Sequence, residues 1–255
     1  MNRYLSATAL YIRWNLSRIC GVILVTALLA GFLLYRYPTG EVQQSYSYPD
    51  GQIYQAEWRV YLVDAVKESG VPVACAIGFT AAMVLMSLTG CGYGTKPGYT
   101  VQRLRVKEKY ACLLWSGYHA ALLIVFWAVL ASLLYLLMCL RSRDVPSGYV
   151  LGPQTLVLLC YTDTFLHHLL PLADTAVWVE NVALILASAL GTVHFSYRQR
   201  HGGISIAPLL AAGCMIGSFF LPLGSNLNFV VMAAALVIAG WTLVSFLSGG
   251  EEDAA

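Results

Sequence analysis

The chain has 255 residues, of which 58% are hydrophobic and only 11% are charged. Because a soluble domain carries about 25% charged residues, this chain has too few charges to cover a soluble surface. The same figures exclude a disordered chain, and the formal net charge of +2 excludes a nucleic-acid-binding domain. We therefore expect a polytopic membrane protein, with a soluble protein around one very apolar core as the second interpretation.

The N-terminal residues 1–18 are less apolar than the run that follows them, since they contain Arg3, Arg13 and Arg18. On a helix, the apolar side chains of this segment cluster on one side, and its Tyr and Trp residues suit the headgroup region of a bilayer. The pattern predicts an interfacial helix over 1–18. The alternative is that these residues are simply the start of the first membrane span.

Six apolar runs are about as long as, or longer than, the stretch of about 20 helical residues that crosses the hydrocarbon core of a bilayer. They are 19–35, 71–88, 110–140, 176–197, 204–221 and 227–247. A Tyr-rich loop at 36–70 separates the first two runs, and its second half, Ile53 to Glu68, is predicted to be helical. The acidic tail at 249–255 is predicted to be disordered.

A seventh apolar run, 154–172, contains acidic and His residues, which are costly against lipid. If this run crosses the membrane, the chain has seven spans, and if it is re-entrant or interfacial, the chain has six. Loops rich in Lys and Arg stay in the cytoplasm. Bases are concentrated at 3–18, 91–110 and 198–200. These three segments lie on the same side of the membrane only if the chain crosses it six times. We therefore predict an all-α polytopic helix bundle, a single transmembrane domain over 1–255 with six crossings and a cytoplasmic N-terminus.

No motif for nucleotide, metal or nucleophilic chemistry was found. The stretch from Gly92 to Lys96 lacks the Gly-Lys-Ser/Thr core of a phosphate-binding loop. His167 and His168 would point to helix faces about 100° apart, so one metal ion would not take both. We therefore predict no catalytic residue, no metal and no cofactor in this chain.

Three ionisable residues inside apolar runs are candidates for a polar path: Asp163, His167 and Glu180. Asp163 and His167 are four positions apart, so a helix would place them on one face as a local ion pair or, alternatively, as a proton relay. Glu180 lies in the first turns of a predicted span, where an acid complements the helix N-terminus. The alternative for Glu180 is a place on a substrate path.

The stretch Gly98–Lys109 stands directly before the longest apolar run and reads GYTVQRLRVKEK. It resembles the cytoplasmic segment between spans two and three in permease subunits of bacterial ABC exporters of the type-two class. In those permeases a Tyr-Thr-x-x-Arg-Leu-x-Val-Ser/Lys-Glu pattern is common. The phrase at 165–172, FLHHLLPL, is similar to the stretch before span four in some of them. In the order of its spans and loops, most of the chain resembles these permeases. At the level of individual residues, the resemblance is limited to these two short motifs.

This resemblance implies that segment 91–110 is a cytoplasmic coupling segment, which receives motion from a separate ABC-type ATPase subunit. It also implies a dimer of permease subunits, identical or different, in the plasma membrane. Aromatic and aliphatic anchors and orienting charges would make the contact. The residues assigned to it are Tyr99, Arg103, Leu104, Arg105, Val106, Lys107 and Glu108. The residues by themselves also fit a basic anchor on anionic lipid.

Two other functions stay open. A membrane-embedded enzyme could act on lipid or peptide through Asp163, His167, His168 and Glu180, provided that these side chains converge on one cavity. A non-catalytic assembly or sensor protein would use the Tyr-rich loop as its binding element. For a transporter, the scarcity of ionisable side chains in the spans favours an apolar or amphipathic cargo.

Overall fold

The structure, a computed structural model, describes residues 2–37, 46–47, 53–54, 65–91, 107–141, 153–172, 174–220 and 225–248. Over these residues the chain is an all-α membrane helix bundle. Its main helices are α1 (Asn2–Arg36), α2 (Val71–Thr89), α3 (Glu108–Arg141), α4 (Pro153–Thr162), α5 (Thr164–Leu169), α6 (Thr175–Arg200), α7 (Ala207–Phe220) and α8 (Ser225–Ser248). A two-residue antiparallel pair, β1 (Tyr46–Ser47) and β2 (Ile53–Tyr54), lies between α1 and α2.

Five of these helices, α1, α2, α3, α6 and α8, are long and apolar enough to cross a membrane. Five of the predicted runs are therefore confirmed as helices. Such runs are helical because a helix satisfies every backbone hydrogen bond within the segment itself. Large apolar side chains such as Leu28 and Val237 are more than 60% exposed on the outside of the bundle. Such a surface is suited to lipid rather than to water.

The first helix is longer than predicted. Residues 2–18 are helical, but they continue without a break into the first span, so the predicted interfacial helix over 1–18 is the first half of α1. Tyr11 and Asn15 on this half are fully buried. The Tyr11 ring stacks on the Trp115 ring of α3, with centroids 4.2 Å apart, and this packing draws the segment into the bundle.

The run at 154–172 forms two short helices, α4 and α5, that are broken at Asp163. At 1.5 Å per residue they are about 15 Å and 9 Å long, against about 30 Å for a bilayer core. The neighbouring helices α3 and α6 are antiparallel, because Glu108 contacts Arg200 at one end while Trp127 contacts Trp178 towards the other. Helix α3 therefore ends, and α6 begins, at the same end of the bundle. Six crossings require this arrangement, whereas a seventh crossing at 154–172 would place the beginning of α6 at the other end.

We call the end of the bundle that carries Arg200 the basic end, and the end that carries Asp174 the opposite end. Helix α7 runs between them, antiparallel to α6. Near the basic end, a Cβ on Gly191 would lie 3.2 Å from the backbone of Ala207. Towards the opposite end, Ser218 is hydrogen-bonded to Glu180.

Helix α7 is shorter than the span predicted at 204–221, because residues 203–206 are not helical. Ser205 lies beside α6, where its hydroxyl is 2.7 Å from Nδ1 of His194. The same hydroxyl accepts a hydrogen bond from the Ala207 amide, as a residue before a helix often does. Four non-helical residues reach up to about 14 Å and the helix about 21 Å, so the run still has the length to cross the core.

The helix predicted from Ile53 to Glu68 is wrong at its start. Ile53 and Tyr54 pair with Ser47 and Tyr46 as strands, a cross-strand pairing that sequence periodicity did not indicate. Residues 65–68 are helical, as predicted. The rest of this segment and the predicted tail at 249–255 lie outside the described residues.

Candidate functional site

The predicted coupling segment lies mostly outside the described residues, including Tyr99, Arg103, Leu104, Arg105 and Val106. Its two ends are described. Cys91 follows α2 and is buried, and burial raises the pKa of its thiol although Arg200 opposes the shift. Lys107 is exposed, and its carbonyl accepts a hydrogen bond from the Tyr110 amide as α3 begins. Both described ends of the segment are therefore part of the bundle.

Glu108, predicted to face a partner, is bonded within the chain. Nε of Arg200 donates to Oε1 of Glu108 at 2.8 Å, and Nη2 lies 2.7 Å from the same oxygen. Nε2 of His201 lies 3.6 Å from the other carboxylate oxygen. Since the Arg200 side chain is only 8% exposed, this is a tertiary contact rather than a surface ion pair.

The guanidinium of Arg200 connects three helices at the basic end. Its Nη1 donates to the carbonyl of Gly90 at the end of α2, and its carbon lies 5.5 Å from the Trp115 ring of α3. We call this group, Arg200 with Glu108, Gly90 and Trp115, the Arg200 junction. Sequence reasoning treated Arg200 only as one base of a cytoplasmic loop and missed this role.

Asp163 does not pair with His167, so the predicted pair is wrong. Asp163 stands before the first residue of α5, where its Oδ1 accepts a hydrogen bond from the Leu166 amide at 2.9 Å. Its other oxygen lies 3.7 Å from Nζ of Lys67. A residue at the N-cap has non-helical dihedral angles and turns its side chain to its own helix. His167 lies instead 3.5 Å from Asp174.

Glu180 lies near the N-terminus of α6, as predicted, but it is not the residue that caps the helix. Asp174 is the cap, because its Oδ1 accepts from the amides of Ala176 at 3.0 Å and Val177 at 3.4 Å. Glu180 lies in the second turn and is 1% exposed. The Ser218 hydroxyl of α7 donates to its Oε1 at 2.7 Å.

The imidazole of His168 approaches Glu180, with Nε2 at 3.9 Å from Oε2. Nδ1 of His168 lies 3.0 Å from the Thr164 carbonyl. Because a carbonyl only accepts, Nδ1 carries the hydrogen and Nε2 is directed to the carboxylate. Neither Nε2 nor Oε2 has a hydrogen-bond partner in the described part of the chain. Of the four residues required by the enzyme hypothesis, His168 and Glu180 meet, whereas Asp163 and His167 contact other groups.

A second buried polar chain joins α1, α3 and α6, and sequence reasoning missed it. The Thr192 hydroxyl donates to the Ala189 carbonyl at 2.9 Å, so its oxygen accepts from Nδ1 of His119 at 2.9 Å. Nε2 of His119 then accepts from the Tyr11 hydroxyl at 2.9 Å. Every polar atom of the His119 ring is therefore satisfied, although the residue is fully buried.

We expect Tyr11→Phe to lower the free energy of unfolding by about 1–3 kcal/mol, because it leaves Nε2 of His119 buried without a donor. Equilibrium unfolding in mixed detergent micelles measures the change. Tyr118→Phe is the matched control, since the Tyr118 hydroxyl is buried without a hydrogen-bond partner in the described part of the chain. Equal losses for the two variants would contradict the assigned hydrogen bond.

The described residues hold no group of three or more His, Cys, Asp or Glu side chains that could bind a metal ion. The rings of His167 and His168 are 6.1 Å apart and nearly perpendicular. A small apolar cavity of about 60 Å³ lies beside this region, between α2, α3, α5 and α7. Its lining includes Phe79, Phe126, Trp127, Phe165, Met215 and Phe219.

Comparison of the chain with protein-family models, with curated proteins and with solved structures finds no match. A functional hypothesis for this membrane helix bundle therefore depends on its own residues and geometry.

Proposed function

We propose that the chain is the membrane-spanning permease subunit of an ABC-type exporter. It assembles as a dimer of permease subunits with separate ATPase subunits, which hydrolyse ATP while the permease moves the substrate across the plasma membrane. The Arg200 junction is the observation that carries this proposal. It lies where the segment that resembles a coupling segment, Tyr99–Glu108, joins the bundle.

The junction suits a segment that transmits force. One guanidinium holds both sides of segment 91–110, since Arg200 binds the Gly90 carbonyl directly before it and the Glu108 carboxylate near its end. Any displacement of the segment by a partner therefore acts on α2, α3 and α6 together. An anchor on lipid would not need this connection between three helices.

The charges at the basic end support a cytoplasmic location of that end. Lys107, Lys109, Arg198 and Arg200 gather there. The beginning of α1 lies at the same end, because the rings of Tyr4 and Tyr110 are in edge contact at 6.1 Å. Since bases in short loops stay in the cytoplasm, the proposal places the N-terminus and the segment on the side where ATP is available.

We expect Arg103→Glu combined with Leu104→Asp to abolish assembly with the proposed ABC-type ATPase subunit, because it reverses an orienting charge and removes an apolar anchor. Co-purification and ATPase activity of the assembled complex measure the effect. Arg13→Glu is the control, since Arg13 is an exposed base near the same end of the bundle. The proposal is wrong if the double variant assembles and hydrolyses ATP like the wild-type chain.

The approach of His168 to Glu180 favours a second candidate, a membrane-embedded enzyme acting on lipid or peptide. It predicts that the chain alone, reconstituted in lipid, consumes such a substrate and that Glu180→Gln abolishes this activity. Unchanged turnover in Glu180→Gln would remove this candidate. The Tyr-rich loop required by a sensor function lies mostly outside the described residues.

A further inference from the structure

A small cavity of about 70 Å³ lies between the first two turns of α6 and the beginning of α8, at the opposite end of the bundle. Among the described residues, its polar lining is Asp174, Glu180 and Asn228. The apolar residues of its wall in this part of the chain are Ala176, Val177, Phe229 and Met232. The cavity is separate from the Arg200 junction, which lies at the basic end.

Glu180 and Asn228 both line this cavity, and each has an oxygen without a hydrogen-bond partner in the described part of the chain, Oε2 and Oδ1 respectively. Glu180 is 1% exposed, so its carboxylate is almost completely removed from bulk water. A buried polar atom without a partner costs about 1–3 kcal/mol, and more when it is charged. Two such acceptors on one cavity indicate that a donor or a cation belongs there.

The charge balance favours a cation. Asp174 and Glu180 supply two carboxylates, and the N-termini of α6 and α8 contribute only about half a positive charge each. Asp174 has His167 at 3.5 Å, and no Lys or Arg side chain of the described residues lies within 4.0 Å of either carboxylate. Among the described residues, the only basic group within 4.0 Å of Glu180 is His168, at 3.9 Å.

We propose that this cavity binds one monovalent metal cation, Na⁺ or K⁺, with Glu180 and Asn228 as the oxygen ligands. Carboxylate and amide oxygens are the ligands that hard cations prefer. The described residues include no group of three His, Cys, Asp or Glu side chains that would hold a metal ion by themselves. The volume of about 70 Å³ leaves room for several waters, which complete the coordination shell of a weakly held ion.

The position of Asp174 gives the cation a path from water. The Asp174 side chain is 41% exposed, and Glu180 lies six residues further along α6, about 9 Å deeper in the bundle. Asp174 is already bonded to the first amides of α6, so it attracts the ion at the mouth of the cavity while Glu180 holds it at the base. This site does not depend on an ATPase subunit.

Radioisotope binding to the full chain in lipid nanodiscs at pH 8 tests the proposal, with ²²Na⁺ and ⁸⁶Rb⁺ as the probes for Na⁺ and K⁺. We expect saturable binding of at least one isotope, displaced by the unlabelled ion and not by choline at equal ionic strength. Glu180→Gln should abolish this binding, because it removes the charge while keeping the shape. Glu68→Gln is the matched control, since Glu68 is an exposed carboxylate that accepts a hydrogen bond from Tyr37.

A second variant and a second measurement keep the test decisive if Glu180→Gln does not fold. Asn228→Leu should weaken binding, and the melting temperature of the wild-type chain should rise when choline chloride is replaced by the bound cation. The proposal is overturned if neither isotope binds the wild-type chain saturably, or if Glu180→Gln binds as the wild type does. Because no ATPase is present, either result leaves the proposed exporter function to be judged by its own experiment.

Discussion

Arg200→Ala is expected to lower the free energy of unfolding of this chain by about 2–4 kcal/mol. The substitution leaves the Glu108 carboxylate and the Gly90 carbonyl without their donor and removes the cation from the Trp115 ring. The loss of one partner of a fully buried pair costs about 3–5 kcal/mol, and the lower figure allows for the 26% exposure of Glu108. Equilibrium unfolding in mixed detergent micelles measures the change.

Arg198→Ala is the control for this result, because Arg198 is exposed on the same turn and should change stability by less than about 0.5 kcal/mol. Arg200→Lys should restore only part of the stability, since an ammonium cannot reach several acceptors with the planar geometry of a guanidinium. If Arg200→Ala and Arg198→Ala unfold alike, the Arg200 junction does not stabilise the contact between α2, α3 and α6.

Gly78→Ala is expected to destabilise the bundle by about 1–3 kcal/mol, because α1 and α2 touch at this residue. A Cβ on Gly78 would lie 2.8 Å from Cβ of Thr26 and closer still to the end of that side chain. Thr26 cannot turn away freely, since it is β-branched and its hydroxyl donates to the Val22 carbonyl at 2.8 Å. The two helices must therefore separate, and thermal unfolding of the purified chain measures the cost.

Gly117→Ala is the control for Gly78→Ala, and we expect it not to destabilise the bundle. Gly117 is also a helical glycine, but a Cβ there would meet nothing within 4 Å. Alanine is favoured over glycine in a helix by about 1 kcal/mol, so this variant should be as stable as the wild type or more stable. Thr26→Gly should relieve the contact in the Gly78→Ala chain, and a failure to do so would show that the helices do not meet at Gly78.

Much of the fold followed from the distribution of charge along the sequence. Runs without charged residues became α2, α3 and α8, and the run with Glu180 as its single charged residue became α6, because a helix is the way a single segment satisfies its backbone in lipid. The acid and the two His residues at 163–168 correctly indicated that 154–172 is not an ordinary span. The continuity of α1 matches the alternative for 1–18, the start of the first span, and not the preferred interfacial helix, since its first half is held by Tyr11 and Asn15, whose burial depends on α2 and α3.

The candidate site was harder to predict than the fold. Sequence reasoning paired Asp163 with His167 and assigned Glu180 to a helix end, because spacing shows only neighbours on the same element. The observed partner of Glu180 is Ser218, which is 38 residues away, and the partner of Glu108 is Arg200, which is 92 residues away. These pairs form only when α6 lies against α7 and α3.

The sequence alone therefore determined that this chain is a membrane helix bundle, which segments are its main helices, and where its bases gather. Hydropathy and charge act residue by residue against lipid and water, so no tertiary contact is needed to read them. Only the tertiary structure decided which buried polar groups meet. An isolated Glu180 or Arg200 in an apolar segment is costly wherever it lies. The packing of the other helices determines whether such a group finds a partner. Arg200 is paired with Glu108, whereas Glu180 keeps one oxygen without a hydrogen-bond partner in the described part of the chain.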